Sequence, residues 1–107
     1  MARALINAPT AARSGEVIEI RTLITHPMET GFRPGADGKT LPRDIIRRFT
    51  CLYDGEQVFA AELYSAVAAN PFIAFHTVAT RSGDIVCTWE GDNGFTQSET
   101  VRITVLG

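Results

Sequence analysis

The sequence contains few of the residues that build chemical sites: two cysteines, two histidines and one tryptophan among 107 residues. Cys51 and Cys87 are too few and too far apart for a zinc framework. Ten Lys and Arg residues are scattered along the chain against twelve Asp and Glu residues. Because no basic block is present to neutralise a phosphate backbone, we expect no nucleic-acid partner.

Long apolar segments are also lacking. No apolar run approaches the roughly 20 residues that a membrane-spanning helix needs, so we expect no membrane partner. The beginning of the sequence, MARALINAPTAARSGEV, has no continuous apolar stretch of the kind found in a secretory signal. The length predicts a single domain over residues 1–107, which can bury a core without disulfides or metals.

What the sequence does contain is a series of short segments in which apolar and polar residues alternate. In residues 16–24, for example, Ile18 and Ile20 alternate with charged residues, which is the pattern of a strand with one buried face. About seven such segments, separated by turn signals, predict an all-β fold: an immunoglobulin-like β-sandwich of antiparallel strands. The predicted strands are residues 3–8, 16–24, 48–53, 56–63, 72–79, 84–90 and 95–105.

Several reactive residue types lie inside these predicted strands, and we interpret them as structural. Cys51 and Cys87 fall on the third and the penultimate strand, which are neighbours in one sheet, and we expect free, buried thiols. His76 alternates with apolar residues, which predicts a hydrogen-bonded histidine on an inward face of the sheet. Trp89 is likewise expected to face the core.

Residues 26–43, HPMETGFRPGADGKTLPR, form one long loop between the second and third predicted strands. A loop of this length is unusual in a compact domain and is typical of a functional segment. His26, Met28 and Glu29 mix soft and hard ligands, which does not suit a metal site. The sequence also lacks the local motifs of the common enzyme classes. We therefore expect neither a metal nor a cofactor, and we do not expect an enzyme.

The loop and the strand after it suit a protein interface better than a reaction centre. They combine adaptable apolar side chains with arginines, and arginine is enriched at interfaces because it forms bidentate contacts. The residues that we predict to contact a partner are His26, Met28, Glu29, Arg43, Arg47, Arg48 and Phe49.

Several stretches of the sequence resemble the SoxZ family, and IRTLITHPMETG (residues 20–31) is the most specific of them. SoxZ is the small subunit of the SoxYZ carrier of bacterial thiosulfate oxidation. The resemblance implies an immunoglobulin-like sandwich that forms a heterodimer with SoxY, and transient contacts with other Sox enzymes. It is carried by residues 14–31, 42–51, 54–63, 69–75 and 88–89.

The resemblance also implies a division of labour between the two subunits. In SoxY, a cysteine on a mobile C-terminal tail carries the sulfur intermediates covalently. This sequence ends in RITVLG, without a cysteine, so we expect the non-catalytic subunit that scaffolds SoxY. The expected location is the periplasm, reached by export together with a partner that supplies the signal.

The residues themselves leave other readings open. One is a small-molecule or metal-binding β-sandwich, and another is a structural adhesion-type module. An unpaired edge strand would also allow the isolated chain to form homodimers, since exposed ladder groups recruit another chain.

Overall fold

The computed structural model describes residues 3–107, which form eight β-strands and a short 3-10 turn at Asp92–Gly94. The molecule is elongated, with extents of 61 × 20 × 18 Å. No helix within the described residues is long and apolar enough to cross a membrane. The strands are β1 (Ala4–Asn7), β2 (Ala11–Arg13), β3 (Val17–Ile24), β4 (Ile46–Tyr53), β5 (Glu56–Glu62), β6 (Phe72–Val78), β7 (Gly83–Gly91) and β8 (Thr96–Leu106).

The strands form two sheets, and this arrangement confirms the predicted all-β sandwich. One sheet has three strands in the order β1-β3-β6, and the other has five in the order β2-β8-β7-β4-β5. The pairings are antiparallel except for β2 with β8, which is parallel. β2 was not among the predicted strands, because three residues are too few to show an alternation. The long loop lies where expected, now between β3 and β4.

Aromatic side chains join the two sheets. Phe49 of β4 is fully buried and contacts the rings of Trp89, Phe59 and Phe75, with ring centroids 5.2 to 6.1 Å apart. Phe59, on the five-stranded sheet, stacks on Phe75 of the three-stranded sheet at 4.4 Å. Large buried rings contribute much of a core's stability, and these contacts fix the two layers against each other. Trp89 therefore belongs to the core, as predicted.

The two cysteines occupy directly opposite positions in the pairing of β4 with β7. Both are fully buried and both are free thiols, as the sequence predicted. The hydrogen bond that the Cys87 thiol donates to Cys51, together with burial, raises the pKa of Cys87 well above its usual value. Cys87 therefore stays protonated, and the pair packs as part of the apolar core.

The position of His76 differs from the prediction. It shares a face with Phe72, Ala74 and Val78, as the alternation indicated, but that face points to solvent, and its side chain is 62% exposed. The residues between them pack inward instead, with Phe75 buried in the core. Both faces of β6 are rich in apolar residues, so the alternation showed which residues lie together but not which side is buried.

Candidate protein-binding groove

The long loop is an ordered arm that folds back on itself. The backbones of Glu29 and Asp44 exchange two hydrogen bonds of 2.8 Å near its base. Further out, Pro34 pairs with Thr40 in a second isolated bridge. The arm therefore resembles an irregular hairpin, and its two ends are held together next to the start of β4.

His26 anchors the base of this arm from inside. Its side chain is buried, and its Nδ1 accepts a hydrogen bond of 3.0 Å from the backbone N–H of Met28. Its Nε2 lies 3.8 Å from a carboxylate oxygen of Asp44, and its ring meets Phe95 edge to face at 5.0 Å. Burial lowers the pKa of His26, although the charges of Asp44 and Asp92 act in the opposite direction.

Met28 is the second internal anchor. Its backbone has a φ of 49°, in the left-handed region that side chains other than glycine rarely adopt. The side chain is buried, and its sulfur accepts a hydrogen bond of 3.3 Å from the backbone N–H of Ile46. These contacts hold a strained residue in place, and they tie the first part of the arm to the first residue of β4.

Asp92, in the turn between β7 and β8, binds the C-terminal end of the arm through Arg43 and Ile45. Its carboxylate accepts two hydrogen bonds from Arg43, at 2.9 and 3.0 Å, and one of 3.2 Å from the backbone of Ile45. Arg47 lies 3.3 Å away on the same carboxylate. Burial would raise the pKa of Asp92, but these hydrogen bonds and the two guanidinium charges lower it below its usual value.

The arm and the segment after β5 enclose a groove of about 840 Å³ on the surface of the sandwich. Its floor includes Ile45 and Leu63, which are buried. Two aromatic residues at the groove are strongly exposed: Phe32 on the arm at 79% and Tyr64 after β5 at 65%. Exposed aromatic side chains beside a concave surface are typical of a protein-binding site.

Charged residues form a short row across the sheet at this groove. Arg48 on β4 lies opposite Glu62 on β5 and opposite Glu90 on β7. All three line the groove and are exposed. Arg48 makes no ion pair within residues 3–107, so its guanidinium is available to a partner. A row of alternating charge gives a partner a defined register.

The structure divides the seven residues that we predicted as contacts into two groups. His26, Met28 and Phe49 are buried, so they shape the surface from within and do not reach it. The other four are Glu29, which pairs with Arg33 at 2.6 Å, and Arg43, Arg47 and Arg48, which line the groove.

The seven predicted contact residues did not include Asp92, Phe32 or Tyr64, which the structure places at the base of the arm or at the groove. Asp92 looked like an ordinary turn residue, because a contact between residues 43 and 92 leaves no local signal in the sequence. Phe32 and Tyr64 are isolated aromatic residues outside any strand pattern. That isolation was itself a usable signal, because a large apolar residue outside a core pattern is a candidate for contact with a partner.

Metal ligands are not grouped in the described part of the chain. Within residues 3–107, no cluster of three or more His, Cys, Asp or Glu side chains could hold a metal ion. The groove is lined by apolar, aromatic, arginine and carboxylate side chains. This combination suits contact with another protein chain.

The fold and the groove define a β-sandwich with a candidate protein-binding surface, and comparisons with known proteins identify its family. A family model described as "Sulphur oxidation protein SoxZ" matches residues 6–102. The chain therefore belongs to the SoxZ family of sulphur oxidation proteins. A comparison with curated proteins gave no match.

Solved structures with the same fold include superoxide reductases and a sulfur carrier protein. A superoxide reductase (neelaredoxin) from Ignicoccus hospitalis is 16% identical, with a TM-score of 0.73 over 96% of this chain and 80% of that one. A putative superoxide reductase from Thermotoga maritima is 20% identical, with a TM-score of 0.71 over 97% and 86%. The sulfur carrier protein SoxY from Chlorobium limicola f thiosulfatophilum is 12% identical, with a TM-score of 0.66 over 97% and 79%. At these identities the likeness shows the fold alone.

Proposed function

We propose that this chain is the non-catalytic subunit of a SoxYZ carrier and that its groove binds SoxY. The observation that carries the proposal is the SoxZ family match over residues 6–102. In this complex, the cysteine on the mobile tail of SoxY carries the sulfur intermediates of thiosulfate oxidation. The present chain supplies a rigid surface, other Sox enzymes make transient contact with the complex, and the pair is exported together to the periplasm.

The groove supports the role of a binding subunit. Its ordered arm is fixed at both ends, through Met28 and Asp92, so little conformational entropy is lost when a partner binds. Phe32 and Tyr64 offer apolar contact area, and Arg48 offers a guanidinium without an ion pair in the described part of this chain. Aromatic residues and arginine dominate the binding energy of many protein interfaces.

The cysteines of this chain support the same division of labour. A carrier thiol must ionise and must reach several enzymes in turn. Cys51 and Cys87 are fully buried on β4 and β7, so neither thiol can reach the active site of another enzyme. The mobile thiol of the complex is therefore assigned to SoxY.

Calorimetric titration of this chain with SoxY tests the proposal. We expect Phe32→Ala and Arg48→Ala each to weaken the affinity by about tenfold, which corresponds to about 1.4 kcal/mol. Both side chains are exposed, so neither change should unfold the protein. Arg102→Ala is the matched control, because this arginine is 65% exposed but lies on β8, outside the groove.

Two results would overturn the proposal. If SoxY does not bind the unmodified chain, the assignment as a carrier subunit fails. If SoxY binds but the two groove variants retain the affinity of the control, the subunit assignment stands and the groove is the wrong surface.

A further inference from the structure

The outer face of the three-stranded sheet is a second surface with unusual exposure of apolar residues. Val17 is 63% exposed, Phe72 62%, Leu5 51% and Val78 46%. Together they make up half of the eight large apolar residues that the described chain exposes. This face belongs to the layer opposite the five-stranded sheet, whose outer surface carries the charged row of the groove.

Strand register arranges these residues in rows at the two ends of the face. Leu5 on β1, Leu23 on β3 and Phe72 on β6 are aligned in one row. Val17 on β3 and Val78 on β6 are aligned at the other end. A sheet face that contacts only water is usually polar throughout. An apolar row at each end therefore indicates a face that contacts another surface.

The middle of the face is charged. Arg21 and Glu19 lie next to each other on β3, and Arg21 Nε donates a hydrogen bond of 2.7 Å to Glu19. His76 on β6 lies beside Glu19, with 3.7 Å between its Nε2 and the carboxylate. On β3, the face therefore carries one positive and one negative side chain at equal distances on either side of Ile20.

This pattern is self-complementary under a two-fold axis that crosses the strands at the level of Ile20 and Phe75. When a second copy is turned over about this axis, each outward residue of β3 and β6 faces the one at the mirrored height on the same strand, whereas β1 lies wholly on one side of the axis. Arg21 then faces Glu19 of the second copy, because residues 19 and 21 are equally far from 20. In the same way Val17 faces Leu23, and Val78 faces Phe72. Opposite charges meet, and apolar residues meet apolar residues, as an isologous interface requires.

We propose that this face binds a second copy of this chain and joins two protomers sheet to sheet. The occupant is a second copy because the charge pattern complements itself across the axis. Two sheets that pack in this way bury their outer faces about 10 Å apart, as the layers of a β-sandwich do.

The dimer is reversible, and it leaves the groove free. The three strands have four, eight and seven residues and cover roughly 300 Å² in projection, which is less than the roughly 800 Å² that each partner buries in a standard interface. Because the groove lies on the other layer, a dimer of this kind can bind SoxY on both outer sides. The proposal does not depend on the function proposed above.

Sedimentation equilibrium of the full-length chain over a wide concentration range tests the dimer. We expect the mean mass to rise from monomer towards dimer as concentration increases. Arg21→Glu places like charges opposite each other and should raise the dissociation constant at least about tenfold. The double swap Glu19→Arg with Arg21→Glu restores opposite charges across the axis and should restore the dimer. Arg102→Glu, a charge reversal at a similarly exposed position on the other sheet, should leave the dissociation constant of the dimer unchanged.

Three outcomes would overturn this proposal. The first is a monomer at every concentration, and the second is a dimer that is unaffected by Arg21→Glu or is not restored by the double swap. The third is a loss of SoxY binding in the Arg21→Glu variant, which would mean that SoxY occupies this face. Phe72→Ser, another exposed change, should weaken the dimer in the same direction as Arg21→Glu and provides an independent check.

Discussion

His26 shows how one residue of the long loop serves the structure rather than the surface. The sequence placed it in a predicted interface, and the structure places its ring inside the base of the arm, with Nδ1 accepting the N–H of Met28. An imidazole that accepts this hydrogen bond must be unprotonated at Nδ1. Protonation would replace the acceptor with a second donor facing the N–H.

The lowered pKa of His26 predicts how stability depends on pH. In the unfolded chain His26 has a pKa near 6.5 and takes up its proton at a higher pH than in the folded chain, so the contribution of His26 to the free energy of unfolding decreases as pH falls below about 7. His26→Asn keeps an acceptor for the Met28 N–H but cannot titrate. It should therefore remove the part of the slope of unfolding free energy against pH that His26 causes, between about pH 5 and 7. Urea unfolding at a series of pH values measures the slope.

His76→Asn is the matched control for that measurement, since its side chain is 62% exposed and anchors no loop. The control should keep the slope of the unmodified protein. A slope that survives His26→Asn would show that other groups cause it. The carboxyls of Asp92 and Glu29, whose pKa values are lowered from 3.8 and 4.5, act mainly at more acidic pH, from about one pH unit above those ordinary values downwards.

At the scale of elements, the arm depends on the close approach of two segments that are distant in sequence. Gly91, at the end of β7, packs directly against the start of β4. A Cβ atom at this position would lie 2.4 Å from the carbonyl oxygen of Ile45 and 2.9 Å from the Cα of Ile46. Both contacts are with backbone, which cannot move aside as a flexible side chain can. The neighbouring Asp92 then reaches Arg43 and Ile45.

Gly91→Ala should therefore force β7 away from the base of the arm. We expect a loss of about 1–3 kcal/mol in the free energy of unfolding, as for other overpacked sites, together with faster amide exchange at Ile45 and Ile46. Thermal and urea unfolding measure the first effect, and hydrogen exchange measures the second. A variant as stable as the parent, with unchanged exchange at both amides, would show that this contact does not hold the arm.

The elements also show what the sequence could and could not predict. Alternation located seven of the eight strands, because a half-buried strand needs one apolar face. It could not find β2, which has three residues, and it could not tell which face of β6 is buried. The arm was recognised by its length, but its anchor at Asp92 joins residues that are 49 positions apart, and no local pattern reports such a contact.

At the scale of the whole molecule, the two layers of the sandwich present two different surfaces. The five-stranded layer and the arm form the groove, where aromatic residues surround a row of alternating charge. The three-stranded layer presents apolar rows at both ends of a charged centre. The proposed binding of SoxY on one layer and of a second copy on the other requires a stiff body between the two surfaces. The aromatic contacts around Phe49 supply that stiffness.

The most direct test of the central claim is hydroxyl-radical footprinting of this chain with and without SoxY, read by mass spectrometry. Phe32, Tyr64 and Phe72 are all more than 60% exposed, so each reports on its own surface within a single experiment. At a concentration too low for the homodimer, we expect SoxY to slow the oxidation of Phe32 and Tyr64 and to leave that of Phe72 unchanged. Unchanged oxidation of Phe32 and Tyr64, with Phe72 protected instead, would contradict it.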